Sequence, residues 1–192
     1  MAVATASARR GVSRRERELF RIVNSLPDAA FPAVWLPMQY GTYGTVPAVA
    51  AVALARGDRR LALTLLTGGT AAWVAAKAVK PLASRGRPLA TLPDVRLRGT
   101  ITGDRGFPSG HATVSAALTV AAWPSVSGRR RRQLLALAAF VPLVRVYVGA
   151  HLPLDVIGGS ALGVAVGCAV DLAVRPSRSG GAGQGGRSRS SS

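Results

Sequence analysis

Residues 133–174 read QLLALAAFVPLVRVYVGA, then His151, then LPLDVIGGSALGVAVGCAVDLAV. Two apolar runs of membrane length meet at one histidine, with Arg145 just before the join and Asp155 just after it. A charged side chain inside a bilayer costs at least ~2.5 kcal/mol on insertion scales and is functional by default. Arg145 therefore predicts a polar site where the two runs meet. Three further apolar runs lie upstream, at 31–55, 61–79 and 111–126. This layout predicts an all-α, integral-membrane helical bundle with about five transmembrane helices. The run 31–55 would measure about 37 Å as a straight helix, against a hydrocarbon core of about 30 Å. It has to tilt, protrude or break, with Gly41 and Gly44 as its weak points; a run that broke and crossed twice would make six spans. Residues 14–26 mix Leu19, Phe20, Ile22 and Val23 with charges and read as an N-terminal interfacial helix.

The chain has 192 residues, 48% of them hydrophobic and only 5% aromatic, with a mean hydropathy of +0.26. Ala, Val and Leu supply that apolarity, which suits closely packed helices. A net charge of +17 invites a nucleic-acid partner, but the arginines sit in tails and in short links between apolar runs. Arg9, Arg10, Arg14, Arg15, Arg17 and Arg21 precede the first run, Arg56, Arg59 and Arg60 follow it, and Arg129 to Arg132 form another link. Lipid headgroups and the positive-inside bias select that placement, so no nucleic-acid partner is expected. Cys168 is the one cysteine, which excludes an intramolecular disulfide. Residues 1–13 read as a flexible basic tail with no signal-peptide core, 14–174 as one membrane-embedded domain, and 175–192 as a disordered Gly/Ser/Arg tail.

His151 and Asp155 are four apart at the start of the last run, so on a helix they share a face. A carboxylate on one ring nitrogen fixes the tautomer and leaves the other free as nucleophile or base. Taken alone, the same pair could simply cap the helix. The run Phe107-Pro108-Ser109-Gly110-His111 opens the segment 111–126. Ser109 can cap that helix, Gly110 lets backbone approach a ligand, and the free amides make an anion site beside His111. Arg145 can grip phosphate oxygens with two parallel bonds. Lys80 and Arg87-Pro88 add two cations, and Lys77 reads as a snorkelling side chain. The run ends put all of these on one membrane face. Two imidazoles, a carboxylate and several cations there point to chemistry on a phosphate.

In this order the motifs resemble those of the type 2 phosphatidic acid phosphatase family, whose relatives are bacterial acid phosphatases and vanadium haloperoxidases. The matching residues are Lys80-x6-Arg87-Pro88, Pro108-Ser109-Gly110-His111 and Arg145-x5-His151-x3-Asp155, and the resemblance covers roughly residues 15–174. Val144 stands where the family has a serine, which removes one hydroxyl donor to phosphate. The resemblance implies a membrane lipid phosphate phosphatase acting on a phosphate monoester or diphosphate. Its substrate would be a polyprenyl phosphate or diphosphate, phosphatidic acid or phosphatidylglycerophosphate. His151, oriented by Asp155, would form a phosphohistidine; His111 would protonate the leaving oxygen and then help to activate water. Lys80, Arg87, Ser109, Gly110 and Arg145 would hold the phosphate oxygens. No cofactor and no metal are expected, since Asp94, Asp104 and Asp155 share no metal-ligand spacing. A multi-pass cell-membrane location with the site on the extracytoplasmic face is expected, with membrane lipids as surroundings. Two alternatives stay open: a phosphotransferase or vanadate-dependent oxidase using the same pocket, and a non-catalytic binder of lipid headgroups.

Overall fold

Small residues on one face of the last helix set the architecture. The computed structural model describes residues 11–174, so most of both expected tails, 1–10 and 175–192, lies outside the described residues. Among those described, eight α-helices and three short 3-10 turns make up the regular structure. They are α1 (Arg14–Asn24), α2 (Phe31–Met38), α3 (Thr45–Ala55), α4 (Arg59–Ala83), α5 (Pro88–Thr91), α6 (Gly110–Ala122), α7 (Gly128–Tyr147) and α8 (Pro153–Val174). Gly159, Gly163 and Gly167 follow one another at four-residue spacing on α8. A Cβ at Gly159 would come within 2.5 Å of the Ser109 carbonyl, one at Gly163 would strike the Thr113 carbonyl, and one at Gly167 would meet Val120. Backbone thus packs on backbone along α6 and α8, the small-xxx-small arrangement of membrane helices.

Helix α6 is the axis. Ala112, Val114, Ala117 and Leu118 are fully buried, because α4, α7 and α8 surround it. At 13 residues it is too short to cross a bilayer alone, and the 3-10 turn Trp123–Ser125 extends it. The run 31–55 does break: α2 and α3 are separated by the 3-10 turn Gln39–Gly41. A Cβ at Gly41 would lie 2.5 Å from the His111 carbonyl and 2.8 Å from Val141. The chain squeezes between α6 and α7 there, which only glycine permits.

Two of the helices, α4 and α8, are long and apolar enough to cross a membrane. Leu63, Leu66 and Val74 on α4, Leu135 and Leu143 on α7, and Ile157, Val164 and Leu172 on α8 are all exposed. In water such a surface would be an aggregation site; in lipid it is the solvent-facing side. The stretch 84–109 carries more order than its sequence shows. Besides α5 it contains an isolated bridge between Gly86 and Arg105, with Arg87 N donating to Asp104 O and Gly106 N to Arg85 O. These bonds pinch the two ends of the loop together beneath the site.

Candidate active site

Four chain segments meet at one end of the bundle: the end of α4 with its loop, the start of α6, the end of α7, and the α7–α8 junction. They enclose a cavity of about 790 Å³. Lys80, Arg87, Gly110, His111, Arg145 and His151 line its polar side, while Trp35, Met38, Tyr43 and Trp73 line its apolar side. Both histidines therefore face one space. Ser109 and Asp155 are completely buried behind it, and Ser109 N donates to Asp155 O at 2.9 Å, tying α6 to α8.

The expectation that His151 lies on the helix with Asp155 is corrected. Helix α8 begins at Pro153, and a residue before proline is driven out of the helical region, so His151 stands ahead of the helix. Asp155 closes the gap by reaching back as in a capping box. Its Oδ2 accepts from Leu152 N at 2.8 Å and lies 3.6 Å from His151 Nδ1. On the ring's other side, His151 Nε2 is 3.5 Å from Arg87 Nη1. A guanidinium only donates, so this contact favours the tautomer with its lone pair on Nε2, while Nδ1 has no hydrogen-bond partner and Asp155 stands just beyond reach of it. Burial pushes the His151 imidazole well below its usual 6.5, and the Arg145, Arg87 and Lys80 charges push it the same way. Both effects favour the neutral ring.

Ser109 also departs from expectation. It holds the N-cap position of α6, yet its side chain makes no capping bond, and its Oγ is buried without a protein partner. The first-turn amides of α6 are thereby left uncapped, as an anion site needs. Arg145 is 7% exposed; its Nε has no partner and its Nη1 meets only the Met38 sulfur, at 3.6 Å. It has not snorkelled to the surface. A buried guanidinium with idle donors is costly unless an anion arrives.

The other two cations are more committed than their spacing suggests. Arg87 donates through Nε to Gly103 O at 2.8 Å, through Nη1 to Ala150 O at 2.8 Å and through Nη2 to Thr102 O at 2.7 Å. It clamps the loop to the α7–α8 junction while facing the His151 ring. Lys80 Nζ donates to Arg105 O and Pro108 O, each at 3.1 Å, which leaves one of its three donors. Lys77 lies 5.0 Å from the Trp73 ring centroid at the cavity wall. Val144 packs in the apolar cluster with Met38, Tyr147 and Val148 and is absent from the cavity lining.

Sequence reasoning missed the polar face of α1. Glu16 is 4% and Asn24 3% exposed. Asn24 bonds the Arg96 and Tyr147 backbone, and Glu16 pairs with Arg85. Polar residues on a surface helix read as solvated; the one available signal was the 16, 20, 24 spacing that puts them with Phe20 on one face.

The PAP2 superfamily profile matches residues 60–178. The chain belongs to the PAP2 superfamily. An undecaprenyl-diphosphatase of Sulfolobus acidocaldarius is 30% identical over 154 residues, covering 76% of this chain and 72% of that protein. Among solved structures, Aquifex aeolicus LpxE superposes with a TM-score of 0.71 at 20% identity, covering 81% of this chain and 93% of its own. The first transmembrane PAP2-type phosphatidylglycerolphosphate phosphatase from Bacillus subtilis gives 0.70 at 20% identity, covering 92% and 94%. This PAP2 chain thus has the fold of a membrane protein, in agreement with its exposed apolar belt.

Proposed function

We propose that this chain is an integral-membrane lipid phosphate phosphatase that works through a phosphohistidine on His151. The observation that carries the mechanism is one cavity walled by both histidines and by an arginine with idle donors. His151 Nε2 attacks phosphorus in line while the ester or anhydride bond to the lipid breaks, and His111 gives a proton to the departing oxygen. Water then attacks the phosphohistidine, His111 takes its proton, and inorganic phosphate leaves. Asp155 orients the ring from its Nδ1 side and offsets the ring charge that develops. Arg145, Lys80, Arg87, Ser109 and the Gly110 amide stabilise the equatorial oxygens, the positioning and charge neutralisation that phosphoryl transfer asks for.

The similarity to an undecaprenyl-diphosphatase favours a polyprenyl phosphate or diphosphate over phosphatidic acid and phosphatidylglycerophosphate. The apolar wall of Trp35, Met38, Tyr43 and Trp73 suits a lipid reaching the site from the bilayer. Five crossings follow if α2 and α3 count as one broken span. Support for that count comes from the direction of their contacts: Phe31 packs near Tyr147 at the site end, whereas Ala53 packs near Ala62 and Ala121 at the other. On this count Arg14, Arg15, Arg17 and Arg21 share the site end with the loop, while Arg56, Arg59, Arg60 and Arg129 to Arg132 lie at the other; basic residues flank both ends, and the outward face of the site is taken from the family resemblance.

The test is phosphate release from a panel of these lipids by purified protein in detergent, with EDTA present. Activity on at least one lipid, inhibited by vanadate and lost in both His151→Ala and His111→Ala, is expected. Turnover that survives both substitutions sinks the assignment.

A further inference from the structure

Helix α1 presents arginines outward and a carboxylate inward. Glu16 commits both of its oxygens: Oε2 accepts from Arg85 Nη2 at 2.6 Å, and Oε1 from the Leu154 amide, next to Asp155, at 2.9 Å. Arg85 Nε in turn lies 3.6 Å from Asp155 Oδ1, while Asp155 Oδ2 faces His151 Nδ1 at 3.6 Å. The four side chains are 4%, 3%, 0% and 3% exposed in that order. We propose that Glu16 and Arg85 are positioning residues for Asp155, which makes α1 part of the catalytic apparatus. The proposal rests on the reading of His151 and Asp155 as nucleophile and orienting partner.

A buried ion chain is a poor device for stability alone, since well-packed apolar groups do as well or better. Its geometry suggests another use. Glu16 holds one end of the guanidinium in a short bond. The other end stands within ion-pair range of Asp155 but beyond hydrogen-bond range, and Arg85 Nε and Nη1 have no hydrogen-bond partner. Without the Glu16 charge, Arg85 is free to swing onto Asp155 as a two-pronged pair. That would draw the carboxylate away from His151 and leave the imidazole unaligned. Glu16 prevents this by dividing the guanidinium between two carboxylates, and its bond to Leu154 fixes the start of α8 at the same time.

Glu16→Gln keeps the shape and the Leu154 contact but removes the charge. With a polyprenyl diphosphate in detergent micelles, kcat is expected to fall ~10–100-fold, the scale of a misaligned reacting group. KM should stay within about twofold. Glu18→Gln, on the exposed side of α1 beside Arg14, should leave kcat unchanged. In an Asp155→Asn background, Glu16→Gln should cost nothing further, because its route runs through Asp155. An equal kcat loss in both backgrounds, an unchanged kcat, or a change in KM alone overturns the proposal. If Glu16→Gln loses its thermal transition, Arg85→Lys is read against the same Asp155→Asn background and by the same criteria. Wild-type kcat in Asp155→Asn itself would instead overturn the reading of the His151–Asp155 pair.

Discussion

At the scale of single residues, the site works by leaving some groups unsatisfied. Arg145 Nε and Ser109 Oγ are buried without partners, whereas Arg87 spends its donors on backbone carbonyls. Arg145→Lys should therefore raise KM or lower kcat/KM by ~10-fold or more, since an ammonium cannot make the paired contact; steady-state kinetics checks this. The His151 imidazole, lowered by burial and then by Arg145, Arg87 and Lys80, should stay neutral at pH 6.5. Phosphoenzyme formation measured in single turnover should hold its neutral-pH rate at 6.5 and decline only below it, as the ring takes up its proton. An acid limb centred on 6.5 would contradict the placement. Val144 lies in an apolar cluster away from the cavity wall. Val144→Ser should then leave KM within about twofold and cost stability by ~1–2 kcal/mol from a buried hydroxyl and lost packing, read as a lower melting temperature.

At the scale of elements, the contact between α6 and α8 decides the distance between motifs that are far apart in sequence. Ser109 N bonds Asp155 O only because Gly159 and Gly163 let the two backbones close. Gly163→Ala puts a methyl against the Thr113 carbonyl and is expected to cost ~1–3 kcal/mol as overpacking. Activity should fall with it, because separation of α6 from α8 pulls His111 from His151; thermal melting and phosphate release together check this. The break at Gly41 was legible as a weak point, since a straight helix over 31–55 overshoots the bilayer. What glycine does there was not legible, because its neighbours, the His111 carbonyl and Val141, come from two other helices.

At the scale of the whole molecule, the polar cavity sits at one end and the basic links at the other. Thr100, exposed in the loop beside the cavity, reports on that polarity. In a Cys168→Ser background, Thr100→Cys should react with a membrane-impermeant maleimide in intact cells; protection until lysis would place the site inside. The sequence by itself determined the helical, membrane-bound class, because apolar length and charge placement are local properties of the chain. It also marked Lys80, Arg87, His111, Arg145, His151 and Asp155, because motif spacing is written in order. Only the tertiary structure decided that Asp155 reaches a histidine outside its helix, that Arg87 serves the loop as well as the cavity, and that Glu16 turns inward to Arg85. Those outcomes depend on which buried donor meets which acceptor across the bundle, and such pairings between distant segments leave no period or run in the chain to read.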